Sequence, residues 1–215
     1  MIKCLAPWHS ILVRFNGDIV PDGVYRKRYG NVLESPLNTV LNSITASHTR
    51  ESFIQGHLPP ECESCALKEA SVGHSRRKFF KDILNPMLEN TNYSYTKNFN
   101  DIMFLEFNMS NICNLKCRMC NGISSSAWVK DELKLAKMNK DFQRPVDNPE
   151  FGYTNKSEQI IERLFEDPTP FKNLRYLSIK GGEPYMEPAN KTILKKFSDL
   201  GVAKHVTLDW TTNGT

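Results

Sequence analysis

Cys113, Cys117 and Cys120 stand in one short run, Cys-Asn-Leu-Lys-Cys-Arg-Met-Cys. Three thiolates so close together can wrap three corners of a single 4Fe-4S cube, because a tight loop aims all three sulfurs at one point. Such a cube takes four ligands, and this loop has no fourth cysteine. One iron is therefore left for a group that is not protein, and an open iron is a place for chemistry.

The loop needs elements to hold it. Residues 101–110, Asp-Ile-Met-Phe-Leu-Glu-Phe-Asn-Met-Ser, alternate as a strand, with Phe104, Glu106 and Asn108 on one face and Leu105, Phe107 and Met109 on the other. The cysteines follow its end, and residues 124–138 then read as a helix with serines available to cap it. Strand, metal loop and helix make the first unit of a βα barrel, whose active sites lie at the C-terminal strand ends.

A second strand, 174–180, runs into Gly181-Gly182-Glu183-Pro184, where the glycines permit close backbone approach. Taken alone this is also an ordinary turn. A third strand alternates Val206, Leu208 and Trp210 with Thr207, Asp209 and Thr211, and ends at Thr212-Asn213-Gly214. Helices are expected at 157–165, with Ser157 as cap and Ile160, Ile161, Leu164 and Phe165 as its stripe, and at 188–200, with Ile193, Leu194, Phe197 and Leu200 inward and Gly201 as the stop. Residues 144–152 carry too many turn formers for either period and read as a loop.

The other three cysteines are Cys4, Cys62 and Cys65. By itself, Cys62-Glu-Ser-Cys65 is a structural zinc half-site or a redox pair. Ile11, Val13 and Phe15 alternate with Leu12 and Arg14, Asn16-Gly17 is a favoured two-residue turn, and residues 18–20 return, so a hairpin brings Cys4 and Asp22 toward one end. Residues 35–43 read as a short capped helix. Residues 75–84 begin an amphipathic helix with Phe79, Phe80, Ile83 and Leu84 as its stripe; its basic cluster reads as a solvated face, with contact to an anionic group as the alternative. His9, His48, His57, His74 and His205 show no paired metal spacing.

Three motifs in order, Cys113-x-x-x-Cys117-x-x-Cys120, Lys180-Gly-Gly-Glu-Pro184 and Thr211-Thr-Asn-Gly214, resemble the radical S-adenosylmethionine (SAM) family. The resemblance implies a 4Fe-4S cluster held by the three cysteines, with SAM chelating the open iron. It places Met119 near the adenine, lets Gly181, Gly182, Glu183 and Pro184 orient the cofactor, and puts Thr212 and Asn213 beside the SAM or substrate site. The implied reaction is reductive cleavage of SAM to a 5'-deoxyadenosyl radical that takes hydrogen from a substrate, with the electron supplied by a reductant such as flavodoxin or ferredoxin.

The N-terminal pattern is similar to the SPASM and twitch accessory domains of that family, which implies a second, auxiliary 4Fe-4S cluster on Cys4, Cys62 and Cys65. The family's remaining cysteine falls on Asp22. A carboxylate is a harder and weaker partner for a cluster than a thiolate, so two readings stand: Asp22 as fourth ligand, or a labile or open fourth iron. Accessory domains of this kind resemble those of peptide-modifying enzymes and of a dehydrogenase acting on a sugar-like alcohol, which keeps a peptide and a small molecule both open as substrate.

The expected architecture is α/β: a small α+β twitch-like domain with a β-hairpin at 1–98, then the first three βα units of a radical SAM partial barrel at 99–215. Because the family's core continues through further units, a fragment, or half of a split enzyme completed by a second chain, is expected. Two other classes stand beside the enzyme: a non-catalytic iron-sulfur electron carrier and a zinc-binding interaction module. At 215 residues and 40% hydrophobic content the core can be sizeable. A net charge of +4, with no basic stripe interleaved with aromatics, argues against nucleic acid as partner. No apolar run has membrane length and no signal peptide is evident; reduced thiols and oxygen-sensitive iron point to a reducing cytoplasm.

Overall fold

The computed structural model of the protein describes residues 4–89, 93–99, 101–142 and 156–215. The loop expected at 144–152 lies outside the described residues. Helix α1 (Ala6–His9) leads into β1 (Ser10–Arg14), β2 (Asp18–Val20) and β3 (Gly30–Asn31), followed by α2 (Leu37–Leu41), α3 (Ile44–Ile54), α4 (Glu63–Val72) and α5 (Arg76–Leu88). Then come β4 (Phe104–Asn108), α6 (Val129–Met138), α7 (Ser157–Phe165), β5 (Tyr176–Lys180), α8 (Pro188–Asp199) and β6 (Thr207–Trp210).

All six strands form one mixed sheet in the order β3-β2-β1-β4-β5-β6. The hairpin β1–β2 is antiparallel, as is β2–β3, whereas β1, β4, β5 and β6 run parallel. The hairpin is thus not a separate sheet: its first strand pairs along its whole length with β4, and the sheet crosses the boundary expected near residue 98. Register aligns Leu12, Glu106, Ser178 and Asp209 in one row across the sheet, and Arg14, Asn108 and Lys180 in a row nearer the C-terminal strand ends.

One face is apolar. Ile11, Val13, Leu105, Phe107, Leu177 and Ile179 pack there with Ile160, Ile161 and Leu164 of α7 and Ile193 and Phe197 of α8. Burying side chains of this size stabilises by roughly 1.5–3 kcal/mol each. On the other face Phe80 and Leu84 of α5 pack with Trp8, Phe53 and Phe104. Phe104 meets Phe80 edge-on at 5.0 Å and stacks on Tyr176 at 4.8 Å. Toward the C-terminal strand ends this second face turns polar, with Glu106, Ser178 and Lys180.

Several local expectations are corrected. The hairpin does not turn on Asn16-Gly17: Gly17 N–H donates to Arg14 C=O at 2.8 Å, so Phe15 and Asn16 are the corner and only Gly17 is left-handed, at φ 86°. The Asn16 side chain holds that shape by accepting from Asp18 N–H at 3.1 Å. Ser157 is inside its helix and not its cap; its hydroxyl lies 3.5 Å from the Met109 carbonyl at the end of β4. The short α2 starts after Pro36 without a side-chain cap, while Ser43 caps α3 through Ala46 N–H. Leu200 is 39% exposed instead of inward, because the helix ends beside it.

Candidate functional site

The cysteine loop leaves the end of β4 and is held from two sides. From one side comes the start of α6. The serines expected to cap that helix brace the loop instead: Ser125 Oγ donates to Leu115 C=O at 2.6 Å, and Ser126 Oγ accepts from Cys113 N–H at 3.3 Å. Trp128 Nε1 donates to Cys117 C=O at 3.1 Å, and Cys120 N–H donates to the same carbonyl at 3.0 Å. Farther along, Asn111 Nδ2 donates to Gly122 C=O and the buried Glu132 carboxylate accepts from Gly122 N–H, both at 2.6 Å.

From the other side comes the end of β5. Gly182 N–H donates to Ser110 C=O at 3.0 Å, and Glu183 N–H donates to Ile112 C=O at 2.6 Å. A Cβ on Gly182 would stand 2.2 Å from the Ile112 carbonyl oxygen, and one on Gly181, whose φ is +128°, 2.6 Å from that of Ser110. These glycines let the second motif lie directly on the backbone that leads into the cysteines.

Glu183 is 1% exposed and gathers the third motif. Its Oε1 accepts from Tyr185 N–H at 3.1 Å and Thr212 Oγ1 at 2.8 Å, and its Oε2 accepts from Asn213 N–H at 2.8 Å. Burial works to raise its pKa, but these three hydrogen bonds to the anion prevail and hold it below the ordinary carboxylate value. Asn213 Nδ2 in turn reaches Asn114 Oδ1 at 3.0 Å and the Cys113 sulfur at 3.8 Å. Pro184 is buried behind the loop, whereas Met119 is 94% exposed between Cys117 and Cys120.

Cys117 is exposed, and Cys113 and Cys120 are half-buried. Desolvation first, then the neighbouring Cys117 and Cys113 sulfurs, push the Cys120 thiol up. Three cysteine sulfurs in one loop are the donor type that three corners of an iron-sulfur cluster take.

The structure brings Cys4, Cys62, Cys65 and Asp22 to a second place, where they line one small cavity together with Arg77 and Phe80. Cys4 precedes α1, Asp22 follows β2, and Cys62 and Cys65 stand at the start of α4. Burial pushes the Cys4 and Cys62 thiols up to about 12. Three thiols and one carboxylate are donors that an iron-sulfur cluster takes, the thiolates more firmly than the carboxylate. Among the described residues no three His, Cys, Asp or Glu are grouped closely enough to hold one metal ion, at either set of cysteines. All six cysteines are free thiols.

Sequence reasoning missed what surrounds Asp22. The basic start of α5 is not a solvated face: Arg76 Nε donates to Asp22 Oδ1 at 2.8 Å, its Nη2 to Glu106 Oε2 at 3.3 Å, and Arg77 pairs with Glu69. Glu106 Oε2 also accepts from Lys180 Nζ at 3.0 Å. A glutamate in the middle of an apolar strand was the available signal, since a buried charge requires partners.

Residues 4–66 match the family model described as SPASM, an iron-sulfur cluster-binding domain; the match opens at Cys4 and closes just past Cys65. No curated protein and no solved structure matches the chain. Among the described residues no helix is long and apolar enough to cross a membrane.

Proposed function

We propose that the protein is a radical SAM enzyme carrying two 4Fe-4S clusters, one on Cys113, Cys117 and Cys120 and an auxiliary one on Cys4, Cys62 and Cys65 with Asp22 beside it. The observation that carries this reading is Glu183, which joins the Gly-Gly-Glu-Pro loop to Thr212 and Asn213, while Gly182 seats that loop against the approach to Cys113. Three motifs distant in sequence thereby share one strand-end surface, where open α/β sheets and barrels carry their chemistry. The SPASM match supports iron-sulfur binding by the N-terminal part, and such domains occur in radical SAM enzymes.

When bound, the cluster at Cys113, Cys117 and Cys120 supplies the electron that cleaves SAM and so gives access to hydrogen abstraction from an unreactive substrate carbon. The chain supplies position. Gly181, Gly182, Glu183 and Pro184 present backbone groups to the methionyl end of the cofactor, and Thr212 and Asn213 close the same side. Met119 would lie near the adenine of the bound cofactor. In this reading residues 99–215 are the first three βα units of a partial barrel, and residues 1–98 are the auxiliary domain that shares its sheet. The substrate is a peptide or a small alcohol, and a flavodoxin or ferredoxin is the reductant.

Anaerobic reconstitution followed by iron and sulfide counting tests the reading. Two clusters give about eight iron and eight sulfide per chain, and replacing Cys113, Cys117 and Cys120 with alanine removes about half. Zinc bound without sulfide at the N-terminal cysteines would refute the auxiliary cluster.

A further inference from the structure

Asp22 stands where the sequence leaves two readings, ligand or bystander, and its surroundings bear on the choice. It is 7% exposed on the wall of the cavity that Cys4, Cys62 and Cys65 also line. It accepts from Gly23 N–H at 2.6 Å and from Arg76 Nε at 2.8 Å, and both donors fall on Oδ1. The second oxygen accepts from neither. Arg76 is itself fixed: its Nη2 is 3.3 Å from Glu106 Oε2, and its guanidinium lies 4.6 Å from the Phe79 ring centre and 4.9 Å from that of Phe80. Glu106 is held in turn by Lys180, the residue before Gly181.

We propose that Arg76 is a positioning residue that makes Asp22 the fourth ligand of the auxiliary cluster, by fixing Oδ1 so that Oδ2 is the oxygen offered to iron. The inference rests on the auxiliary cluster proposed above. A carboxylate binds a cluster less firmly than a thiolate, so its orientation depends on the partner behind it, as ligating groups depend generally on their outer hydrogen bonds. The planar guanidinium suits this task because Nε and Nη2 grip two carboxylates at once, one at the cavity and one on β4. The positive charge also offsets the negative charge that three thiolates and a carboxylate bring to the site. Through Glu106 the same run of ion pairs reaches Lys180, the residue before Gly181.

The test uses the full chain, anaerobically reconstituted, with Cys113, Cys117 and Cys120 replaced by alanine so that only the auxiliary cluster contributes. The electron paramagnetic resonance spectrum of the reduced protein is recorded for this parent and for Asp22→Asn, Arg76→Gln and the double variant. We expect both single variants to lose the parent signal and to show one shared new signal, with no further change in the double variant. In an Asp22→Cys background the thiolate needs no guanidinium behind it, so adding Arg76→Gln should leave that signal unaltered. A parent signal retained in Arg76→Gln or in Asp22→Asn would overturn the proposal. So would a change caused by Arg76→Gln on top of Asp22→Cys, which would mark Arg76 as merely structural. A parent without any cluster signal would remove the auxiliary cluster itself, and the inference with it.

Discussion

Replacing Glu183 separates the second and third motifs without touching a cysteine. Its carboxylate is 1% exposed and satisfies Tyr185 N–H, Thr212 Oγ1 and Asn213 N–H. Hydrogen bonds to a charged acceptor contribute about 1.5–3 kcal/mol each, and part of that returns when the strand end relaxes toward water. Glu183→Ala should therefore cost about 3–5 kcal/mol, and Glu183→Gln, which keeps the shape but not the charge, about 2 kcal/mol. Urea unfolding of the apo-protein, followed by far-UV circular dichroism, measures this directly. Thr212→Val alone should cost about 1 kcal/mol, and its effect should shrink in the Glu183→Gln background because the two share a bond. The sign of the pH dependence follows from the lowered pKa: the Glu183 contribution is complete above the ordinary value of 4.5 and is lost as pH falls below it through the folded-state value. Glu183→Gln should remove that part of the acid sensitivity. A midpoint change worth less than about 0.5 kcal/mol for Glu183→Ala would refute the claim that this carboxylate ties the motifs together.

Gly182→Ala puts a methyl 2.2 Å from the Ile112 carbonyl oxygen, so the loop must lift off the cysteine approach; a loss of at least about 1–3 kcal/mol is expected in the same unfolding assay. Arg50 is wholly buried and donates to the carbonyls of Lys97, Pro7 and Leu41; Arg50→Lys cannot reach all three and should cost about 2–4 kcal/mol in the same assay. Burial lowers the His9 imidazole to about 4, so the unfolded chain takes up the proton first and stability should fall as pH drops from about 6.5 to about 4, by at most about 3 kcal/mol. Unfolding midpoints of wild type and His9→Gln across that window measure it: the gap between them should change with pH inside the window and be constant above pH 7.

Much of the candidate site's layout was legible because its motifs are local. The cysteine spacing, the paired glycines and the strand that precedes each are short patterns, and β4, β5 and β6 fall where alternation placed them. Alternation carries no information about which strand lies beside which, so the parallel pairing of β1 with β4 was not readable from either segment. The serines at 125 and 126 have the right type and place for a cap, yet the cysteine loop competes for their hydroxyls and wins. The basic start of α5 looked solvated because its partners, Asp22, Glu69 and Glu106, are scattered along the chain. Glu183 was visible as part of a motif, but its grip on Thr212 and Asn213 depends on β5 and β6 being neighbours.

In the proposed function Cys113, Cys117 and Cys120 hold a cluster whose remaining iron takes SAM. Electron paramagnetic resonance of the reduced, anaerobically reconstituted protein before and after SAM addition tests it most directly, in a variant with Cys4, Cys62 and Cys65 replaced by alanine. Saturating SAM should shift the signal, and Gly182→Ala should weaken the shift. A four-iron signal that SAM leaves unchanged would contradict it.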